Sequence, residues 1–373
     1  MKAGTLSPSE AAARNRLLVG GWLLLICAML ALMVIVGGAT RLTNSGLSIT
    51  EWRPVTGVIP PTSEAAWQAE FDKYQRIPQY QYLNKGMSLE AFKSIYWWEW
   101  GHRLLGRLIG FVVLLPFIWF LVARKLGGSL IKRIVLIFAL GGAQGVLGWW
   151  MVSSGLANRV EVSQYRLAAH LGLAFIIFAL TFWTALSVLR TETITEKVAR
   201  SLRGVSHVLS GLVFCQVLLG ALVAGLRAGY RYNTWPLMEG SFLPRGFDYL
   251  KPFWRNFTEN QALAQFDHRI LAYVIAASMI ALWLWARPRA QSAALRRALD
   301  LCLAAVCVQV ALGIWTLLAV VPVPLGLLHQ TGALLLFAAT INLAHVVRRE
   351  PKRVVKPVSP AAGVAIQSLG SDP

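Results

Sequence analysis

Eight predominantly apolar stretches recur along this 373-residue chain, at 17–38, 104–122, 134–152, 167–189, 205–226, 270–285, 299–321 and 325–347. A helix needs about 20 such residues to cross the hydrocarbon of a bilayer. In lipid only helices and closed barrels satisfy their own backbone groups, and runs of this length are too long for barrel strands. The chain is therefore expected to be an all-α membrane protein with eight transmembrane helices. The sixth stretch is the shortest and is expected to extend back through His268. Composition agrees: 56% hydrophobic and 14% charged residues, with mean hydropathy +0.55, is too apolar for a soluble globule.

A formal charge of +19 would ordinarily raise nucleic acid as a partner. Here the basic residues lie between the apolar stretches, so topology accounts for them; the partner expected is the lipid membrane, with no nucleic acid. Arg124, Lys125, Lys132 and Arg133 follow the second stretch, Arg190, Lys197, Arg200 and Arg203 the fourth, and Arg287, Arg289, Arg296 and Arg297 the sixth. Only Arg159 and Arg166 follow the third, and no basic residue follows the seventh. The positive-inside rule then places both termini in the cytoplasm and the long loops 41–101 and 227–267 outside. Within the first loop, Trp67, Phe71 and Tyr74 fall at helical spacing, which predicts a short amphipathic helix over 64–74 at the outer surface. Several of the 15 tryptophans flank apolar stretches, as an interfacial belt requires. Cys27, Cys215, Cys302 and Cys307 all lie inside apolar stretches without a CxxC or CxxCH, and are expected to be buried apolar residues. The polar start and the lack of a small-residue cleavage site make the first stretch a retained span.

The two halves of the chain repeat one another. Gln144-Gly-Val-Leu147-Gly148-Trp149-Trp150 and Gln309-Val-Ala-Leu312-Gly313-Ile-Trp315 share the pattern QxxLGxW, and Trp52-x4-Gly57 is matched by Trp235-x4-Gly240. Each half contains four spans, an even number, so the halves are expected to be parallel, pseudo-symmetric four-helix bundles related by an axis along the membrane normal. The expected organisation is a cytoplasmic tail (1–16), an N-terminal half (17–190), a cytoplasmic linker (191–203), a C-terminal half (204–347) and a disordered cytoplasmic tail (348–373).

Histidines fall at matching places in this repeat. Trp97-Trp98-Glu99-Trp100-Gly101-His102-Arg103 and Gln265-Phe266-Asp267-His268-Arg269 each carry a His-Arg pair, and His170 and His329 follow about two helices later. Polar groups at such depths are costly and point to function. One histidine alone is more often structural, but four at repeat-equivalent places on one side suggest bound haem, because two neutral imidazoles facing across a bundle can grip one iron. His207 and His345 match nothing across the repeat and are expected to be interfacial. Haem propionates need cations, and guanidinium forks suit carboxylates, which makes Arg41, Arg103, Arg107, Arg227 and Arg269 candidates; ordinary snorkelling is the alternative. Glu99 stands three residues before His102, on the same face if the helix reaches that far, whereas the second half has Gln265. An acid beside one haem and an amide beside the other suggests proton handling in the first half and electron supply in the second, against the plainer alternative of a surface glutamate near a helix start.

With these motifs, and with Gly37-Gly-Ala-Thr-Arg-Leu-Thr-Asn-Ser-Gly-Leu-Ser48, Arg227-Ala-Gly, Tyr232-Asn-Thr-Trp-Pro-Leu-Met238 and His329-Gln-Thr-Gly332, the sequence resembles the haem A synthase family over nearly its whole length. The resemblance implies an oxidoreductase of the cell inner membrane that converts the C8 methyl of haem O to the formyl group of haem A for terminal oxidase assembly. Two successive hydroxylations would give a gem-diol that loses water. It implies His268 and His329 as iron ligands of a resident haem b, His102 and His170 as iron ligands of the substrate haem, and Glu99 as the essential acid. Haem O synthase as supplier, an unidentified electron-transfer partner and a homo-oligomer belong to the same expectation. Some relatives carry a cysteine pair in the first outer loop; residues 41–101 contain none, so the resemblance does not extend to a disulfide-based electron route. One rival is a di-haem b cytochrome exchanging electrons with quinone, but no two histidines stand about thirteen apart on one helix as many such bundles require. The other is a parallel-repeat transporter, which would be expected to carry mid-span charge that these stretches almost entirely lack.

Overall fold

The computed structural model of the chain describes residues 7–348; the first six residues and all but the first position of the expected tail at 348–373 lie outside the described residues. In chain order its helices are α1 (Pro8–Leu42), α2 (Glu64–Tyr74), α3 (Pro78–Tyr82), α4 (Leu89–Val122), α5 (Gly128–Leu156), α6 (Gln164–Leu189), α7 (Lys197–Gly225), α8 (Asn256–Glu259), α9 (Gln261–Ala286), α10 (Ala293–Leu318) and α11 (Val323–Val346). Eight of them, all but α2, α3 and α8, are long and apolar enough to cross a membrane, as the apolar stretches predict.

Every spanning helix runs past its apolar stretch at one end or both. Hydropathy marks only the part suited to hydrocarbon, whereas several of the true starts are set by capping side chains. Ser7, Ser63, Ser88, Asn260 and Ser292 each accept a hydrogen bond from a backbone N–H in the first turn that follows, and Ser7 completes a capping box with Glu10. The largest extension is in α4, which begins at Leu89 rather than near 104. Glu99, His102 and Arg103 therefore sit within a continuous helix, not at a junction of loop and helix. His170 and His329 lie about two turns inside α6 and α11 instead of opening them. The sixth span includes His268, as expected.

Helices α1, α6, α7 and α11 form the centre. α1 packs on α4, α6 and α11, while α7 packs on α6, α9 and α11; α5 and α10 flank α6 and α11. The main core joins Cys27 and Val34 of α1, Phe175 and Phe178 of α6, Val213 and Val217 of α7, and Leu334, Phe337 and Ile341 of α11. Large apolar side chains on the peripheral helices, such as Phe111, Leu115, Leu301 and Val308, face outward, as they would toward lipid. The same geometry corrects the expectation for the cysteines. Cys27 and Cys302 are buried, but Cys215 and Cys307 lie on outward helix faces, where lipid is as acceptable a neighbour as protein.

The helix α2 has the bounds that aromatic spacing predicts, but its apolar face is not left for a membrane surface. Trp67, Phe71 and Tyr74 are buried against Phe92 and Tyr96 on the extended part of α4 and against Leu47, Ile49 and Val162. This aromatic cap fixes the loop 43–51 over the end of α4 where Glu99 and His102 lie. α3 and its loop join it through Gln79, whose Oε1 accepts from the Tyr74 hydroxyl (3.0 Å) and whose Nε2 donates to the Asn44 carbonyl (3.3 Å).

Candidate functional site

An imidazole between packed membrane helices needs a neighbour with no side chain, and each of the four repeat histidines has one. A Cβ added to Gly37 on α1 would lie 3.0 Å from His102, one on Gly148 of α5 2.9 Å from His170, one on Gly220 of α7 3.2 Å from His268, and one on Gly313 of α10 2.9 Å from His329. Small residues at helix contacts are the usual means of close approach in membranes. All four histidines are half-buried, so part of each ring is left uncovered by protein. His268 and His329 face one another, with ring centroids 6.5 Å apart and planes at 74°.

Three glutamines hold the histidine backbones. Gln144 Nε2 donates to the carbonyl of His170 (2.9 Å), Gln216 Nε2 to that of His268 (2.9 Å) and Gln309 Nε2 to that of His329 (3.0 Å). The sequence reading missed this role, although Gln144 and Gln309 open the QxxLGxW repeat. The signal was a polar residue one helical turn before the glycine that faces the histidine, present for His170, His268 and His329.

Glu99 and Gln265 occupy matching places with opposite hydrogen-bonding sense. Glu99 is buried; its Oε2 accepts from Ser48 Oγ (2.7 Å) and the Ile49 N–H (2.9 Å), and its Oε1 from Arg103 (2.7 Å). The surface-glutamate alternative is thereby excluded. Gln265, also buried, donates through Nε2 to the carbonyls of Ala228 (2.9 Å) and Arg231 (2.8 Å), and its Oε1 accepts from Arg269 (3.1 Å). The two arginines then do the same thing: Arg103 donates to the carbonyls of Ile49 and Glu51, and Arg269 to those of Tyr232 and Thr234. Each fastens a long loop onto its histidine-bearing helix.

The remaining arginines divide. Arg107 donates to the carbonyls of Arg53 and Pro54, leaving its Nη1 buried without a partner. Arg41 and Arg227 converge from α1 and α7 on Glu161, an acid between α5 and α6 that the sequence reading did not single out. Arg227 also donates to Asn44 Oδ1 (2.6 Å), and both of these residues have left-handed backbone, φ 53° and 56°. Further buried groups without partners include Arg41 Nε, Trp100 Nε1, Arg269 Nε, His170 Nδ1 and the hydroxyl of Tyr273, which stands on α9 one turn beyond Arg269, where α4 has Arg107.

Two features bear on whether a haem fits these residues. Among the described residues no group of three or more His, Cys, Asp or Glu side chains is arranged to hold a metal ion. A metal gripped by one histidine pair would need its other ligands from elsewhere, and a porphyrin supplies them. Second, two metal–nitrogen bonds of about 2 Å each, with the two ring radii added, come to roughly 6 Å, close to the spacing of His268 and His329. The unpartnered N–H and O–H groups are of the kind that carboxylates require. The residues fit the group.

His207 and His345 stand apart from these pairs, toward the other end of the bundle. His207 is exposed, with Nδ1 2.7 Å from the Arg203 carbonyl oxygen. His345 is fully buried between Ser187, Arg348 and Trp183, because α11 ends inside a knot of arginines and backbone carbonyls.

Fold and site together define an all-helical, multi-pass membrane protein with four glycine-backed histidines, two of them on helices fastened to the long loops that follow α1 and α7. Residues 20–341 match the COX15-CtaA family, described as cytochrome oxidase assembly protein, and the chain belongs to that family. It is 50% identical over 331 residues to the Heme A synthase of Parvibaculum lavamentivorans, covering 89% of this chain and 94% of the relative. It is 51% identical over 350 residues to the Heme A synthase of Azorhizobium caulinodans, covering 92% and 99%. With the Heme A synthase of Bradyrhizobium sp. (strain ORS 278) it shares 48% identity over 373 residues, 98% and 99% of the two chains.

Proposed function

We propose that the chain is a haem A synthase of the cell inner membrane, oxidising the C8 methyl of haem O to a formyl group by successive hydroxylations. The observation that carries this reading is the pairing of a buried carboxylate, Glu99, with His102 in a frame whose counterpart has an amide, Gln265, with His268. Two electron-transfer haems would call for similar surroundings; one acid at one of two otherwise matched sites suits a substrate site beside a cofactor site.

In this reading His102 and His170 take haem O, and His268 and His329 hold a resident haem b, which when bound supplies one-electron transfer. Arg107 Nη1, Arg269 Nε, Arg41 Nε and the Tyr273 hydroxyl are the donors free for anionic carboxylates. Arg103 and Arg227 contribute by fixing loops and Glu161. Glu99 is held at both oxygens by three donors, so it presents a carboxylate of fixed position. Such a group can accept a proton from the substrate methyl or stabilise positive charge developing there. The aromatic cap of α2 over loop 43–51 keeps water from this end of α4.

The same reading divides the chain into pseudo-symmetric halves, 17–190 and 204–347, with both termini cytoplasmic. Supporting it, Asn15 on α1 donates to the Lys125 carbonyl between α4 and α5, and Arg348 after α11 donates to the Arg190 carbonyl after α6. The basic loops and the ends of α1 and α11 thus share one face. The test is chromatography of haems extracted from the purified protein, produced with and without haem O synthase. Haem B together with O and A is expected; haem B alone under both conditions would refute the synthase and favour a di-haem b cytochrome.

A further inference from the structure

Three of the four histidine carbonyls are capped by a glutamine, and the exception is His102. Aligning α1 with α7 on the glycines that face the histidines, Gly37 with Gly220, sets Met33 at the place of Gln216. The same offset aligns Trp52 with Trp235 and Gly57 with Gly240, so the match does not depend on one pair. Gln216 does more than hold a carbonyl: its Nε2 lies 3.1 Å from Nδ1 and 3.2 Å from Nε2 of the His268 ring. Its Oε1 is buried without a partner, so it is the Nε2 group, a donor, that faces the ring. Met33 instead reaches α4 at Gly106, one turn from His102, where a Cβ would lie 3.5 Å from the methionine Cε. A thioether neither donates to the His102 carbonyl nor accepts appreciably from its ring. His102 is accordingly backed by a glycine and a methionine, and His268 by a glycine and a carboxamide.

We propose that this one position on the central helices, glutamine at 216 and methionine at 33, determines which haem is kept and which is exchanged. Partners behind a metal-ligating histidine fix its ring, and losing one typically costs about 10–100-fold in metal affinity. A cofactor haem benefits from that fixing. A substrate haem must arrive as haem O and leave as haem A, so its ligand is better left loose. Methionine and glutamine have unbranched side chains of equal length, so the exchange alters hydrogen bonding and leaves volume nearly unchanged. The inference rests on the assignment of His268 to the resident haem and His102 to the substrate.

The test exchanges the two residues in the full-length protein and follows haem transfer to a soluble haem scavenger, with the reduction potential and low-spin spectrum as second readouts. Q216M should release haem b roughly tenfold faster than wild type and shift its potential. Q216N, which keeps a shorter amide, should fall between the two and serves if Q216M does not accumulate. M33Q, loaded with haem O, should release it roughly tenfold more slowly, with haem A accumulating on the protein as turnover falls. Haem b release and potential unchanged in Q216M and Q216N would overturn the proposal, and so would unchanged haem O release from M33Q. A wild-type protein without low-spin haem b would instead sink the underlying assignment.

Discussion

Replacing Glu99 by glutamine is the most informative single change, because Gln265 shows what an amide does in the matching frame. Around Gln265 the amide NH2 faces two carbonyls, of Ala228 and Arg231. Around Glu99 the corresponding oxygen faces two donors, Ser48 Oγ and the Ile49 N–H. In E99Q the new Oε1 can still accept from Arg103, and Ser48 can turn its hydroxyl to accept from the amide. The Ile49 N–H cannot turn, and it is left buried against another donor. One unsatisfied buried N–H costs about 1–3 kcal/mol. Loss of proton handling should cost more, about 10²–10⁴-fold in rate or roughly 3–5 kcal/mol of barrier. We therefore expect E99Q to melt at a lower temperature, keep its b haem, and lower the ratio of haem A to haem O at least about a hundredfold. S48A is the control: it removes one donor at about 1 kcal/mol but keeps the carboxylate, and should leave haem A within a few-fold of wild type. The assay is haem chromatography from cells co-producing haem O synthase, beside the reduced-minus-oxidised spectrum. Near-normal haem A from E99Q would remove the acid from the mechanism, and equal loss in S48A would make its role structural.

Three further outcomes are expected. H268A/H329A should abolish the low-spin b-haem spectrum of the purified protein while H207A retains it; full retention in the double variant would refute the ligand assignment. G148A should cost about 1–3 kcal/mol by overpacking against His170 and reduce haem O binding, whereas G145A on the same helix, where a Cβ meets nothing within 4 Å, should be neutral or slightly stabilising; equal effects on haem binding would mean that Gly148 does not seat the ring. Reporters fused near Pro78 and Phe253 should be active outside the membrane and one near Gly128 inside, and the reverse would put the haem sites on the wrong face.

What the sequence made legible is what hydropathy and repetition record. The spans, the helix 64–74, the histidine set and the exchange of Glu99 for Gln265 all follow from residue type and spacing. The start of α4 at Leu89 was hidden because its first turns, from Leu89 to Tyr96, pack against α2 rather than lipid and carry a mixed polar pattern. The loop clamps were hidden because Arg103 and Arg269 bind backbone carbonyls, which have no signature in side-chain identity. Burial of His345 was hidden for a related reason. It depends on Ser187, Trp183 and Arg348 meeting around α11, contacts that cross more than 150 positions of chain in the case of Ser187. Glu161 was passed over because an acid in a short loop has no motif until Arg41 and Arg227 are seen to converge on it.

On the proposed duplication, that convergence would lie beside the axis relating the halves. By the offset that aligns Gly37 with Gly220, Asn44 matches Arg227 and Arg41 matches Ala224, and these matched residues touch each other: Arg227 donates to Asn44 Oδ1 and Arg41 to the Ala224 carbonyl. Contacts between equivalent positions arise only beside the axis that exchanges the halves. Glu161 enters there from the first half alone, since α10 and α11 are joined by a short turn without an acid. The carboxylate offsets two arginines that would otherwise repel across the axis, and it ties the ends of α1 and α7 to the loop preceding α6, the helix that carries His170. The two sites are therefore fastened to a common point. On the proposed function, this common anchor holds the helix ends of both halves in place while the residues at Glu99, Met33 and Arg107 differ from their counterparts Gln265, Gln216 and Tyr273.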